Sequence, residues 1–269
     1  MNLITQIPIG QYVPGRSFVH QLDSRSKLLF MLLFIGLVFW AEEVDAYLLL
    51  VGFTFLSIFL SKISISYLGK SLKPILWIIL FTVLIHIFMT KGGDILFAWK
   101  WIEIQEEGVR QAILISIRLI LLIVMASLLT LTTSPIDLTD GMERLLQPFA
   151  RLGLPVHELA MMMSIALRFI PTLIEETDKI MKAQISRGAD FESGNIVKRG
   201  KNMVPLLIPL FVSAIRRAEE LALAMEARGY RGGEGRTKLR ELQWSSKDII
   251  LLVSSIALII SFIVLKGWV

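Results

Sequence analysis

The stretch Gln111–Thr133 carries one charged residue, Arg118, and after Gln111 its other residues are apolar or small. At about 1.5 Å per residue a helix of that length is long enough to cross a bilayer, and in hydrocarbon only helices or closed barrels satisfy their own backbone. Four more apolar runs, Leu28–Ala41, Ala46–Leu60, Pro74–Thr90 and Ile249–Leu265, repeat the pattern. Several are shorter than the ~20 residues of a straight crossing, so polar flanks must extend them into the interface, and the first two also suit a helical hairpin. Apolar residues make up 54% of the 269. The expectation is an all-α polytopic membrane protein with five transmembrane helices. No cleavable leader is expected, because the first apolar run is followed by Glu42-Glu43 instead of small residues.

Absent residues narrow the chemistry. There is no cysteine, which removes disulfides, thiolate catalysis and cysteine metal sites. The three histidines, His20, His86 and His157, are far apart, so no metal site is expected. No phosphate-binding glycine loop is present, so the chain is not expected to bind ATP, and no cofactor is assigned.

Charge gives an orientation. Residues 1–27 hold Arg16, Arg25 and Lys27 against Asp23, and 61–73 hold Lys62, Lys70 and Lys73 with no acid. Residues 41–46 hold Glu42, Glu43 and Asp45 with no base. The positive-inside rule puts the N-terminus and 61–73 in the cytoplasm. Alternation then places 91–110 and the tail from Lys266 outside, and everything between Thr133 and the last span inside.

The chain therefore divides into a four-helix membrane part (1–133), a cytoplasmic or interfacial part (134–248) and a last span (249–269). The middle part carries 17 Lys plus Arg and 15 Asp plus Glu, a mixed surface that suits no nucleic acid. Ser134 caps a helix that starts at Pro135, and Gly153 and Pro155 end one helix and start the next. Two long helices follow, from about Val156 to Arg187 and from about Ile196 or Met203 to Arg228. A loop containing Ser193 and Gly194 separates them, and a glycine-rich stretch, Gly229–Gly235, follows the second. Each is apolar on nearly all faces at its start, contains proline, carries an acid pair (Glu175-Glu176, Glu219-Glu220) and stops at a small residue, Arg and Gly: Ser186-Arg187-Gly188 and Ala227-Arg228-Gly229. Arg then Gly is also an ordinary helix stop, but the repetition points to paired cationic tips for acidic pockets on partners. The apolar starts imply burial against the membrane core, or two further spans.

These residues resemble the shared transmembrane T component of energy-coupling factor transporters, bacterial importers of vitamins and micronutrients. The resemblance rests on Tyr12–Leu28, Ser134-Pro135-Ile136-Asp137-Leu138, Leu152–Pro155, Leu167–Pro171 and the two Arg motifs, and so covers nearly the whole chain. Ser24 stands where the family usually has Pro, and Ser186 where it usually has Ala. The resemblance implies a non-catalytic scaffold in the cell membrane between two ATP-binding-cassette ATPases and a small substrate-binding membrane subunit. It maps the ATPase contacts onto Arg187 and Arg228 with their neighbours Ser186, Gly188, Ala227 and Gly229. The substrate-binding subunit is expected on the apolar parts of the same helices, at Met161, Met162, Met163, Leu206, Leu207 and Leu210, since deformable Met suits a shared platform.

Two other classes remain open: a self-contained secondary transporter, for which Arg118 inside a span is the main support, and a membrane-bound lipid-processing enzyme, hinted at by His20 and Asp23. The plainer readings are that Arg118 snorkels to the outer interface, that His86 is a hydrogen-bonded interfacial residue, and that His20, Asp23 and Arg25 form a structural network. The topology is testable on this cysteine-free background. A cysteine at position 193 should resist an impermeant thiol reagent in intact cells and one at position 43 should react; labelling at 193 overturns the orientation.

Overall fold

A computed structural model describes residues 12–99, 102–191, 195–232 and 242–267. The chain forms two compact units, one from Gln11–Met142 with Leu242–Val269, the other from Glu143–Glu241. The first unit contains α1 (Ser24–Trp40), α2 (Val44–Ser61), α3 (Ile65–Leu72), α4 (Leu76–Met89), strands β1 (Ile95–Trp99) and β2 (Ile102–Gln105), and α5 (Glu106–Thr132). After α6 (Pro135–Leu146) and a 3-10 turn (Gln147–Leu152), α7 (Val156–Ser186) and α8 (Ile196–Ala227) make up most of the second. The last helix, α9 (Ser246–Gly267), returns to the first unit.

All five expected apolar runs are helical. Among the described residues four helices, α2, α5, α7 and α9, are long and apolar enough to cross a membrane, and the α3–α4 pair becomes a fifth if counted as one bent span. The protein is thus an all-α polytopic membrane protein, but the set of helices differs from the sequence reading. The 17-residue α1 is short for a straight crossing. The run Pro74–Thr90 yields only the 14-residue α4, bent 56° from α3. Pro74 sits at the bend, where proline cannot continue a helix. By length and apolarity α7 also qualifies, as the two-further-spans reading allowed.

The first unit's core lies where Phe34 and Val38 of α1, Leu50 of α2, Leu131 of α5 and Phe262 of α9 are buried together. The opposite faces expose Leu32, Phe39, Phe55, Phe59 (80% exposed) and Phe81. Large apolar side chains facing outward this densely belong against lipid. The β1–β2 hairpin is antiparallel, with Phe97 opposite Ile104, in a stretch where the sequence reading placed only an external loop.

Polar contacts fix the N-terminal segment. Asp248, fully buried at the start of α9, accepts hydrogen bonds from the Asp23 backbone N–H (2.8 Å), Ser26 Oγ (2.6 Å) and the N–H and Oγ of Ser245 (2.8 and 3.0 Å). Asp23 caps α1 and pairs with Arg25 at 2.8 Å, whose guanidinium also donates to the Leu242 carbonyl. His20 uses both ring nitrogens, toward Ser17 Oγ (2.6 Å) and the Val13 carbonyl (2.9 Å). Val13 N–H donates to the Leu131 carbonyl at the end of α5. His20 with Ser17 and Val13, and Asp23 with Arg25 and Asp248, thus make two separate structural clusters, where the plainer reading expected one network. Ser24 is the first helical residue, a position that tolerates proline well; its buried hydroxyl has no partner among the described residues.

Arg118 reaches the turn between α1 and α2. Its Nε donates to Tyr47 Oη and its Nη2 to the Ala41 carbonyl, both at 3.1 Å, and the guanidinium lies 5.6 Å from the Phe39 ring centre. Ala41 is the C-cap of α1, so the cation satisfies a helix-end carbonyl. His86 is hydrogen-bonded to Thr90 Oγ1, as a local interfacial residue would be.

Replacing Asp248 by Ala strands several buried donors, so a loss of roughly 3 kcal/mol is expected. Asp248→Asn keeps one acceptor oxygen and should lose less. Thermal unfolding in detergent checks the order wild type, Asn, Ala.

Candidate partner-docking site

The helix tips are built the same way. At the end of α7 the Gly188 N–H donates to the Ile185 carbonyl and the Ala189 N–H to the Gln184 carbonyl. At the end of α8 the Gly229 N–H donates to Glu226 and the Tyr230 N–H to Met225. Both are Schellman ends, with a 5→2 and a 6→1 bond closing the last turn. Each needs a residue with positive φ just past the cap, and the two glycines supply it, at +86° and +72°. Arg187 and Arg228 occupy the same cap position, half out of the helix. Both are exposed, as are Ser186, Gly188, Ala227 and Gly229, and neither guanidinium has a hydrogen bond or ion pair among the described residues. In the loop between the helices, Ser193 and Gly194 lie outside the described residues, as does the stretch from Gly233 to Gly235.

The two helices form an antiparallel hairpin. Gln184 reaches Pro205, Glu176 reaches Ser213 and Arg217, and Tyr230 reaches Met161. Each contact has a chemical reason. Pro209 has no N–H, which leaves the Pro205 carbonyl without its helical donor; Gln184 Nε2 takes that place at 3.3 Å. Glu176 accepts from Arg217 Nη2 at 2.6 Å and from Ser213 Oγ. Tyr230 Oη donates to Met161 Sδ at 3.1 Å.

This pairing changes the geometry read from the sequence. The sequence suggested that both apolar starts sit against the membrane core and both tips reach the cytosol. In the antiparallel hairpin the two starts lie at opposite ends, and so do the two arginines. Arg228 lies beside the start of α7, about 25 residues from Arg187, or roughly 40 Å along the axis.

The apolar candidates are likewise not one surface. Met162 and Met163 are exposed near the Arg228 end, and Met161 is half-buried against Tyr230. Leu207 is exposed near the other end, Leu210 is half-buried, and Leu206 is only 7% exposed, so Leu206 packs within the protein. The exposed stripe on α8 is Val204, Leu207, Ile208, Phe211, Val212 and Ile215, one helical face at i, i+3, i+4 spacing.

A groove of about 630 Å³ adjoins the Arg228 tip. Met161, Ile165, Leu221 and Met225 give it an apolar floor, and Arg168, Arg228 and Arg231 line it without any acid. The sequence reading has Arg168 within the Leu167–Pro171 run but assigns it no contact, and it does not single out Arg231. The recurrence of Arg three residues after Arg228 was the available signal.

Residues 15–239 match the family model described as cobalt transport protein, CbiQ. The chain is 62% identical over 266 residues to the energy-coupling factor transporter transmembrane protein EcfT of Brevibacillus brevis, covering 99% of both chains. It is 59% identical over 250 residues to the protein of that name in Bacillus subtilis, covering 93% of this chain and 94% of the other. It is 53% identical over 267 residues to the Clostridium kluyveri protein, covering 99% of each.

The glycine caps can be probed directly. Alanine at position 188 or 229 forces a Cβ into the left-handed region at about 1 kcal/mol. Hydrogen exchange at the Ala189 or Tyr230 amide should then quicken about fivefold, at the mutated end only.

Proposed function

The chain belongs to the family of energy-coupling factor transporter transmembrane proteins, and we propose that it is the non-catalytic scaffold joining two ATP-binding-cassette ATPases to a small substrate-binding membrane subunit. The observation that carries the proposal is the pair of matching arginine ends at opposite ends of one hairpin. Two copies of a similar socket, roughly 40 Å apart, receive one tip each. Arginine suits such a socket because it stays charged and grips a carboxylate with two parallel N–H bonds. The closed Schellman turn holds its backbone still, so little order is lost on docking. Near Arg228, Arg168 and Arg231 extend the cationic surface for an acidic partner.

The substrate-binding subunit docks on the exposed apolar stripe of α8 at Leu207, Ile208 and Phe211, with Met162 and Met163 as a second contact. Leu206 and Leu210 support the stripe from beneath. The protein sits in the bacterial cell membrane with its N-terminus and the 134–248 segment in the cytosol and its C-terminus outside. ATPase closure moves the two sockets, and the hairpin carries that motion to the stripe.

Arg187→Ala or Arg228→Ala alone should weaken transport while much of the complex survives, because the remaining tip tethers the ATPase pair at high effective concentration. The double change should strip off the ATPases or uncouple ATP hydrolysis from uptake. Arg→Glu at either site should be worse than Ala. If the arginines are only helix stops, each change costs less than about 1 kcal/mol and uptake is unchanged. Uptake and ATPase retention in the singles and the double decide; wild-type uptake in the double ends the coupling proposal.

A further inference from the structure

We propose that a cavity in the first unit, between α1, α2, α5 and α9, holds an acyl chain of a membrane phospholipid. Its volume is about 170 Å³. A dry apolar cavity of about 150 Å³ already takes a ligand the size of benzene. Phe30, Phe53, Met125 and Leu128 line its inner part, while Lys27, Ser57 and Thr132 lie toward one end.

That polarity follows the helix directions. α1 begins beside Lys27, whereas α2 and α5 finish nearby at Ser61 and Thr132. The polar end is therefore at the helix termini, and the apolar part lies deeper. From Leu60 to Phe53 the α2 wall extends roughly 10 Å. A lipid in the leaflet at that end has the same order, with oxygens outermost and methylenes inward.

The way in is also defined. Phe18, Val19 and Leu22 of the N-terminal segment contribute to the lining beside Lys27, so a water-soluble ligand meets them first. The exposed lining residues are Leu56 and Leu60 of α2, 52% and 36% exposed, and Ile250 of α9, 57% exposed. The mouth therefore opens sideways between two helices of membrane-crossing length, where an acyl chain is the available ligand.

Lys27 supplies a specific contact. It is only 6% exposed, and its ammonium donates to the Thr132 carbonyl at 3.0 Å and Thr133 Oγ1 at 3.1 Å. An ammonium has three donors. Two are used among the described residues, and the third is assigned to an ester or phosphate oxygen of the lipid, with Asp137 also within electrostatic reach of the ammonium. Such a site requires that these four helices lie in the bilayer, whichever partners the hairpin engages.

The test uses the full-length chain, purified in mild detergent and reconstituted with a phospholipid bearing a photoreactive diazirine on its acyl chain. A parallel arm uses a free fatty acid with the same diazirine. Met125 and Leu128 are 6% and 3% exposed, so lipid around the outside does not reach them. After illumination, phospholipid adducts are expected on both. Filling the cavity with Ser254→Phe, or separately with Ser57→Phe, should lower those adducts at least fivefold. Adducts on outward-facing Phe59 should stay constant, which shows that the fold and reconstitution are intact. Absence of adducts on Met125 and Leu128, adducts unchanged in both filled variants, or labelling by the free fatty acid alone overturns the proposal.

Discussion

One carboxylate ties the beginning of the chain to its end. Asp248 has no solvent contact, yet four donors from the segment before α1, from α1 itself and from the turn before α9 converge on it. A buried charge is tolerated only when its lone pairs are filled, so the carboxylate selects the one arrangement in which Asp23, Ser26 and Ser245 all reach it. Once these are in place, Asp23 is positioned to cap α1 and hold Arg25, and Lys27 one turn on is aimed at the end of α5. The apolar faces of α1, α2, α5 and α9 then meet with little choice left. In lipid, where apolar contact alone does little to orient helices, polar anchors of this kind set the packing.

The hairpin of α7 and α8 solves a different problem. Its helices are amphipathic for much of their length, with few buried residues. Their pairing is carried by polar contacts at three levels: Gln184 with a proline-freed carbonyl, Glu176 with Arg217 and Ser213, and Tyr230 with Met161. These hold the register while leaving most apolar surface outward. Surface kept outward in this way stays open to partner subunits.

Much of this was legible in the residues. The apolar runs gave α1, α2, α5 and α9 because a helix in hydrocarbon needs an unbroken apolar sequence, and Arg followed by Gly located both tips because a left-handed cap favours glycine. A structural role for His20, Asp23 and Arg25 was legible in kind, but not the carboxylate that anchors Asp23, since Asp248 lies 225 residues away. The short β-hairpin was missed because five- and four-residue strands between two helices leave little periodic signal. The antiparallel sense of α7 and α8 was not legible at all. Helical period shows which face is apolar, not which neighbour it meets, and so the sequence suggested one methionine-leucine platform where the structure has two separate patches. Leu206 and Leu207 differ only by the turn of a helix whose inner face is set by α7.

The Glu176–Arg217 clasp lies close to the midpoint between Arg187 and Arg228. It joins α7 to α8 and so fixes how far one helix can slide along the other. A slip of one residue moves the backbone by about 1.5 Å, enough to break an ion pair of 2.6 Å, so a push on one tip shifts both helices together instead of being lost as sliding between them.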